Sequence, residues 1–145
     1  MNFRSDAIIF LRLFYDFGYF KKIIPHGFSK VEKIQLPVSG PEDLTLDSIT
    51  GNLFISADDR RANQLKPGHV NGKILLLNLK DSTQTIYDLT PDLPDFHPHG
   101  IALWRADSGR IFLFAVNHHT DKTHAIERFE YKAEQLIHLE SISDM

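Results

Sequence analysis

Apolar residues along most of the chain come in short runs that Gly, Pro, Asp and Ser separate, and many of them are β-branched or aromatic. Short runs of this composition with turn residues between them are typical of an all-β fold. The pattern predicts strands over residues 34–36, 44–46, 52–56, 73–79, 84–89, 101–104, 110–116, 126–131 and 136–142.

The N-terminal part of the chain has a different pattern. Residues 7–24 (AIIFLRLFYDFGYFKKII) are mostly apolar, but Arg12 and Asp16 interrupt them, so the run is far shorter than the roughly 20 residues of a spanning helix. Only Arg4 precedes it as a positive charge and no small-residue cleavage site follows, so it is a poor secretory signal. Lys21 and Lys22 can meet anionic headgroups. Two interpretations stay open: a helix packed on the core, and a membrane anchor or interfacial helix.

The order of the predicted strands repeats once along the chain. Residues 40–44 (GPEDL) correspond to residues 97–101 (HPHGI), and residues 51–55 (GNLFI) correspond to residues 109–113 (GRIFL). Corresponding positions lie roughly 50 to 60 residues apart, slightly more than the ~40–50 residues of a typical propeller blade. The repeat therefore predicts two successive four-stranded units, each a blade of a β-propeller.

This repeat divides the chain into an apolar, helical segment at residues 1–33 and an incomplete propeller at residues 34–145, with blades at about 34–92 and 93–145. A propeller ring closes with about four to eight blades, so two blades leave sheet faces uncovered. We therefore expect a partial all-β propeller preceded by an N-terminal helix. A two-sheet sandwich of the same strands is an alternative that the sequence leaves open.

Composition narrows the classes of function. The formal net charge is −3 and the chain has no basic stripe, which argues against nucleic-acid binding. The chain has no cysteine, so disulfides, thiolate metal sites and cysteine nucleophiles are excluded. A metal site must therefore use carboxylate, carbonyl, amide or imidazole ligands. Both the cytosol and the periplasm are compatible with this composition.

Four polar residues at the ends of predicted strands are candidates for chemistry. Glu42 and Asp43 begin the first blade, and adjacent residues of an extended chain point to opposite sides, so they can bind different partners. Carboxylates are ligands of calcium, although most such pairs are solvated turn residues. His99 holds the corresponding position in the second blade, and His118 ends a strand. A histidine that faces the propeller channel can act as a general base; the alternative is an ordinary polar residue.

Two further polar groups have simpler interpretations. Histidines cluster in the second unit, which makes a zinc site an alternative, but no pair has the spacing of a helical H-x-x-x-H motif; the cluster comprises His97, His99, His118, His119 and His124. Residues 58–61 (DDRR) are expected to cap a loop and to pair locally in solvent.

Several segments, taken in order, resemble the opening blades of the paraoxonase/arylesterase family: GPEDLTLD, LFISADDRR, GKILLLNL, PHGIAL, LFAVNH, IERFEY and LIHLESI. FGYFKKI resembles the region after the apolar anchor of bacterial members. The resemblance covers residues 17–144 and is specific mainly through GPED, PHGI and VNH in combination. It implies a six-bladed propeller related in fold to the gluconolactonase type, with two calcium ions in its channel, that hydrolyses small aryl esters and lactones.

The resemblance also implies roles for five residues. Glu42 matches a glutamate ligand of the catalytic calcium. Asp43 and the backbone carbonyl of Ile101 match ligands of the structural calcium. His99 matches the histidine proposed to activate the attacking water, and His118 matches its proposed partner.

One departure from the family pattern affects the expected activity. The remaining ligands of the catalytic calcium come from later blades in the family, and calcium takes about six to eight oxygen ligands. We therefore expect a fragment, or the product of a shortened gene, that binds calcium poorly and hydrolyses esters negligibly on its own.

A non-catalytic interaction module is the alternative function, because exposed strand edges can pair with a second chain. The expected location depends on residues 7–24. A membrane-associated, periplasmic or extracellular protein follows if they act as an anchor, and a cytoplasmic protein follows otherwise.

Overall fold

The computed structural model describes residues 3–22, 24, 34–66 and 70–143. These residues belong to two compact units, Met1–Ile34 and Gln35–Met145. Within the described residues, the first unit contains a single helix and the second contains all the strands.

The helix of the N-terminal unit, α1 (Phe3–Asp16), is the predicted N-terminal helix. Its described apolar side chains are exposed, with Ile8 at 66% and Phe10 at 64%. Just beyond it, Tyr19 packs edge-to-face on Phe14, with 5.3 Å between the ring centroids. None of the described helices is both long enough and apolar enough to cross a membrane. Residues 25–33 of the predicted N-terminal segment lie outside the described residues.

The first sheet of the second unit is an antiparallel meander whose strands pair in chain order. Its strands are β1 (Pro41–Asp47), β2 (Asn52–Ala57), β3 (Lys73–Asn78) and β4 (Ile86–Asp88).

The strand predicted at residues 34–36 is wrong, because these residues form no strand. Pro37 follows them and cannot donate a ladder hydrogen bond. Gly40 then adopts a φ of 65°, and its carbonyl accepts a bond of 2.8 Å from the amide of Asp58. A side chain at Gly40 would collide with the Asp58 carbonyl, so the chain enters β1 through a turn that requires glycine.

The second sheet repeats the same meander. Its strands are β5 (Pro98–Arg105), β6 (Ile111–His118), β7 (His124–Lys132) and β8 (Gln135–Ser143). In both sheets the turn before the second strand ends in a glycine with positive φ, 85° at Gly51 and 82° at Gly109. The predicted repeat of two four-stranded units is therefore confirmed.

A short helix that the sequence pattern did not predict, α2 (Arg60–Leu65), lies between β2 and β3. The side chain of Asp59 caps it by accepting a hydrogen bond of 2.9 Å from the amide of Ala62. The cap places Arg60 at the beginning of the helix, near the ends of β1 and β5.

The core lies between the two sheets. Phe54 of β2 packs edge-to-face on Tyr131 of β7, with 5.1 Å between the ring centroids. Phe96, in the connection between the sheets, packs in the same way on Phe129. Each fully buried side chain of this size contributes about 1.5–3 kcal/mol. The buried cluster comprises Phe54, Ile74, Leu76, Leu89, Phe96, Ile101, Leu113, Ala115 and Phe129.

The second sheet is apolar on both faces. Leu113 and Phe129 face the core, whereas the neighbouring positions Phe112 and Ile126 belong to the opposite face. Trp104 stacks on Phe112 on that opposite face and is 55% exposed. A sheet that is apolar on both faces is expected to pack between two other layers. In a closed two-sheet sandwich each sheet buries one face only, so this feature favours a partial propeller.

Candidate active site

The two candidate histidines lie side by side. His99 is near the beginning of β5 and His118 ends β6, and the pairing of Pro98 with Asn117 brings these strand ends together. The centroids of the His99 and His118 rings are 5.3 Å apart, and the ring planes are nearly perpendicular. Both rings line a cavity of about 460 Å³.

Glu42 connects His99 to the short helix. Its Oε2 atom is 3.3 Å from Nε2 of His99, and its Oε1 atom is 2.9 Å from Nε of Arg60. The first blade therefore supplies the carboxylate and the second blade supplies the imidazole. Arg60 also lines the cavity, so a fixed positive charge accompanies this carboxylate.

Asp43 points away from Glu42 and joins the two blades, as expected of adjacent residues in an extended chain. Its Oδ2 atom accepts a hydrogen bond of 2.9 Å from the amide of Ile101, and its Oδ1 atom accepts one of 2.8 Å from the amide of Leu44. Ser56 strengthens the same junction, because its hydroxyl donates to the carbonyl of His99 at 2.6 Å. These bonds fix the backbone on both sides of His99.

Calcium does not fit the described residues in this arrangement. The two candidate carboxylates are engaged, Glu42 by Arg60 and His99, and Asp43 by two backbone amides. Calcium takes about six to eight oxygen ligands. Within the described part of the chain, no group of three or more His, Asp or Glu side chains is arranged to hold a metal ion.

His118 also contacts a third histidine. Its Nδ1 atom is 2.7 Å from Nδ1 of His124 on the paired strand. Burial lowers the pKa of His118, and its electrostatic interactions with His124 and Arg60 lower it further, against the opposing effect of Asp58 and Glu42. At neutral pH His118 is therefore an uncharged imidazole that can accept a proton.

A buried contact between a histidine and an aspartate that line the cavity was not predicted from the sequence. His97 Nδ1 is 3.1 Å from Oδ1 of Asp58, and both residues are buried. The expectation that residues 58–61 pair locally in solvent is wrong for Asp58, because the tight turn at Gly40 and the His97 ring enclose it. Asn63 of α2 donates to the same Asp58 oxygen at 3.0 Å, so this pair also holds the short helix in place.

A second buried network supports the end of β6. Asn117 accepts a hydrogen bond of 2.7 Å from the amide of His97 and donates one of 3.1 Å to Glu127. Burial raises the pKa of Glu127, but hydrogen bonds from Ser141, Asn117 and His138 outweigh this effect and hold the pKa below its ordinary value. The asparagine of the VNH motif is therefore a structural residue beside His118.

The fold and this site together define a class of protein: a part of a β-propeller that presents histidines and a glutamate in a cavity at the beginning of its blades. The sequence model of the family described as Arylesterase matches residues 62–145, which is more than half of the chain. The chain belongs to the arylesterase family. The matched region includes His99, Ile101 and His118, whereas Glu42 and Asp43 precede it.

A curated relative agrees with this assignment. The chain is 35% identical over 77 residues to serum paraoxonase/arylesterase 2 of Rattus norvegicus. The similar region makes up 49% of this chain and 22% of the relative, so the chain matches only about a fifth of that protein's length.

Proposed function

We propose that this chain carries the histidine part of the catalytic site of a hydrolase that acts on small aryl esters or lactones. The observation that carries the proposal is the contact between the His99 and His118 rings beside Glu42 in one cavity. Membership of the arylesterase family supports an ester as the substrate.

In the proposed reaction, water attacks the carbonyl carbon of the ester and His99 takes the proton that the water releases. Glu42, at 3.3 Å, stabilises the resulting imidazolium and orients the ring. His118 assists as a neutral imidazole, which its lowered pKa favours. The proton then passes to the departing alcohol or phenol oxygen, which completes hydrolysis.

We also propose that calcium, which the family resemblance implies, requires ligands beyond the described residues. In that complete site Glu42 would bind the catalytic ion, and Asp43 with the Ile101 carbonyl would bind the structural ion. The bonds that now occupy both carboxylates support the view that this chain alone does not form the site. We therefore expect this chain to be catalytically incomplete.

A chimera tests the proposed role of His99. In the chimera, this chain replaces the region of the rat relative to which it is similar. Hydrolysis of phenyl acetate by the chimera is measured with calcium present. General base catalysis contributes about 10²–10⁴-fold, so His99→Gln is expected to lower kcat at least about 100-fold. The matched variant His119→Gln is expected to change kcat less than about twofold. Equal rates for the two variants, or a folded chimera without activity, would contradict the proposal.

A second candidate function is a non-catalytic interaction module, which the open apolar face of the second sheet favours. Trp104, Ile126 and Ile142 of this face are 55%, 43% and 49% exposed. Phe112 and Ile126 correspond in the repeat to Phe54 and Ile74, which the second sheet covers. By analogy, a further four-stranded sheet would cover the open face of the second sheet. In this second candidate function another chain supplies that sheet.

Size-exclusion chromatography with light scattering distinguishes this second candidate. Association of the purified chain that Ile126→Lys abolishes would support the interaction module. A monomer that melts cooperatively would contradict it, because a stable monomer has no need of a covering sheet.

A further inference from the structure

The end of the β6–β7 hairpin places two imidazoles opposite each other. His118 and His124 are directly paired across the strands. The next pair toward the turn is hydrogen-bonded, because the amide of His119 donates to the carbonyl of Thr123 at 3.0 Å. Hydrogen-bonded and non-hydrogen-bonded pairs alternate in antiparallel ladders, and side chains are closest in the latter. The His118–His124 pair is therefore one in which side chains on the same face meet.

The turn that joins the two strands is held by its own hydrogen bonds. The Asp121 carboxylate accepts from both the amide and the hydroxyl of Thr123, at 2.9 and 2.6 Å. The amide of Lys122 donates to the carbonyl of His119 at 3.0 Å. These bonds fix the hairpin end, so the two imidazoles are brought together before any ligand arrives.

The two facing nitrogens have the separation of a hydrogen-bonded pair. Nδ1 of His118 is 2.7 Å from Nδ1 of His124, so a proton on one nitrogen points at the lone pair of the other. Zinc–nitrogen bonds are about 2.0–2.1 Å, so a tetrahedral zinc ion separates two ligand nitrogens by about 3.3 Å. Small rotations of two side chains, one of them exposed, open the pair to that separation.

We propose that His118 and His124 form a binding site for a divalent transition-metal ion such as Zn²⁺, in which solvent completes the coordination shell. The site uses two protein ligands; His99 packs on the His118 ring, but within the described residues no group of three or more His, Asp or Glu side chains is arranged to hold a metal ion. Its position is open to solvent, because His124 is exposed and His118 lines the cavity.

The chemistry of the pair selects the class of ion. Imidazole suits zinc, copper and nickel, whereas calcium prefers oxygen ligands. A transition-metal ion binds the neutral form of an imidazole, and the two Nδ1 atoms of the pair face each other at 2.7 Å. The pair shares His118 with the proposed catalytic site, but Zn²⁺ binding is measured without ester hydrolysis, so a failure of this proposal and a failure of the proposed function are distinguishable.

Isothermal titration calorimetry of the full chain with Zn²⁺ at pH 7 tests the proposal. One equivalent of Zn²⁺ is expected to bind, and Ca²⁺ is expected to give no heat at this pair. His124→Asn is expected to weaken Zn²⁺ binding at least about tenfold. His124→Cys supplies a thiolate in the same place and is expected to retain binding.

His119→Asn is the matched control, because His119 lies next to His118 and contacts Asp95, at 3.5 Å, instead of His124. This variant is expected to change the Zn²⁺ affinity less than about twofold, and thermal melting followed by circular dichroism verifies that every variant is folded. Failure of the unsubstituted chain to bind Zn²⁺, or the same affinity for His124→Asn and His119→Asn, would overturn the proposal.

Discussion

Among single residues, Arg60 has the most direct consequence for the site. Its Nε atom is 2.9 Å from Glu42, where a bound calcium ion would also place its charge. Two unit cations 4 Å apart repel each other by about 1 kcal/mol in water and by about 4 kcal/mol near a protein surface. We therefore propose that Arg60 would compete with calcium for Glu42 in the complete site.

Removing this guanidinium is expected to favour calcium. Arg60→Gln should raise the affinity of the chain for Ca²⁺ at least about tenfold, because it frees Glu42 and removes a positive charge. Tb³⁺ luminescence with Ca²⁺ competition measures the change. Arg61→Gln is the control with the same loss of charge at the next residue of α2. Equal affinities for the two variants would show that Arg60 does not compete for Glu42.

A second residue-scale prediction concerns the ion pair that joins the inner strands of the blades. Asp47 of β1 is buried and accepts hydrogen bonds from Arg105 of β5 and, at 2.5 Å, from Thr50. Removing one partner of a buried ion pair lowers the free energy of unfolding by about 3–5 kcal/mol. The effect is expected to be smaller here, because the Arg105 side chain is partly exposed to solvent. We expect Asp47→Asn to lower the free energy of unfolding by about 2 kcal/mol in urea denaturation. Asp107→Asn, at an exposed turn, should change it by less than about 0.5 kcal/mol.

The same carboxylate gives the stability a defined pH dependence. Burial raises the pKa of Asp47, but hydrogen bonds from Thr50 and Arg105 outweigh this and hold the pKa below its ordinary value of 3.8. A carboxyl group whose pKa is lower in the folded chain than in the unfolded chain stabilises the fold at pH values above its unfolded-state pKa. This stabilisation is lost as the pH falls through the pKa of the folded state. Between pH 5 and pH 3 the unsubstituted chain should therefore lose more stability than Asp47→Asn. An identical slope for both would contradict this account.

Residues at strand ends could be predicted from the sequence, and buried polar partners could not. His99, His118 and Glu42 were candidates from their places at strand ends, and the family resemblance supplied their expected roles; the structure places their side chains beside one another, and the roles stay predictions. Asp58 and Glu127 gave no local signal, because their burial depends on His97, which is distant in sequence, and on the partner strand β8. These contacts form only when residues distant in the sequence pack together, so the spacing of residues along the chain does not predict them.

At the scale of elements, strands were easier to predict than the connections between them. Alternating β-branched and aromatic residues marked β2, β3, β6, β7 and β8 to within a few residues. α2 was missed because its six residues (RRANQL) carry no apolar periodicity and only the Asp59 cap indicates it. The strand predicted at residues 34–36 is the opposite error, a predicted element that does not form. Ile34 and Leu36 are apolar, but these residues form no strand in the structure.

The N-terminal element leads to a membrane prediction. The described apolar side chains of α1 are exposed, including Phe10 at 64%, and Lys21 and Lys22 follow the helix. We propose that residues 7–24 bind the surface of anionic membranes. The full chain should float with anionic vesicles in a density gradient, and Phe10→Asp should reduce the floating fraction at least about threefold.

Trp104→Ser is the control for that experiment, since it removes an exposed aromatic side chain from the second sheet and leaves residues 7–24 intact. It should float like the unsubstituted chain. Equal flotation of the full chain and of a chain without residues 1–24 would remove the membrane proposal.

At the scale of the whole molecule, the second unit is a pair of four-stranded blades, and we propose that it carries one half of a catalytic site. Asp43 and Ser56 tie the first blade to the second around His99, so the histidine geometry is complete within these eight strands. Among the residues that the structure describes, no group of three or more His, Asp or Glu side chains is arranged to hold a metal ion, whereas calcium takes about six to eight oxygen ligands. The central proposal is that this chain carries the proton-transfer residues His99 and His118 and that its described residues do not form the calcium site.

Phenyl acetate hydrolysis by the purified 145-residue chain tests this claim most directly. Rates are measured with and without calcium, for the unsubstituted chain and for His99→Gln. The account predicts that calcium adds no activity and that both chains hydrolyse at the same background rate. A calcium-dependent rate that His99→Gln abolishes would contradict it, because the chain would then hold a complete site.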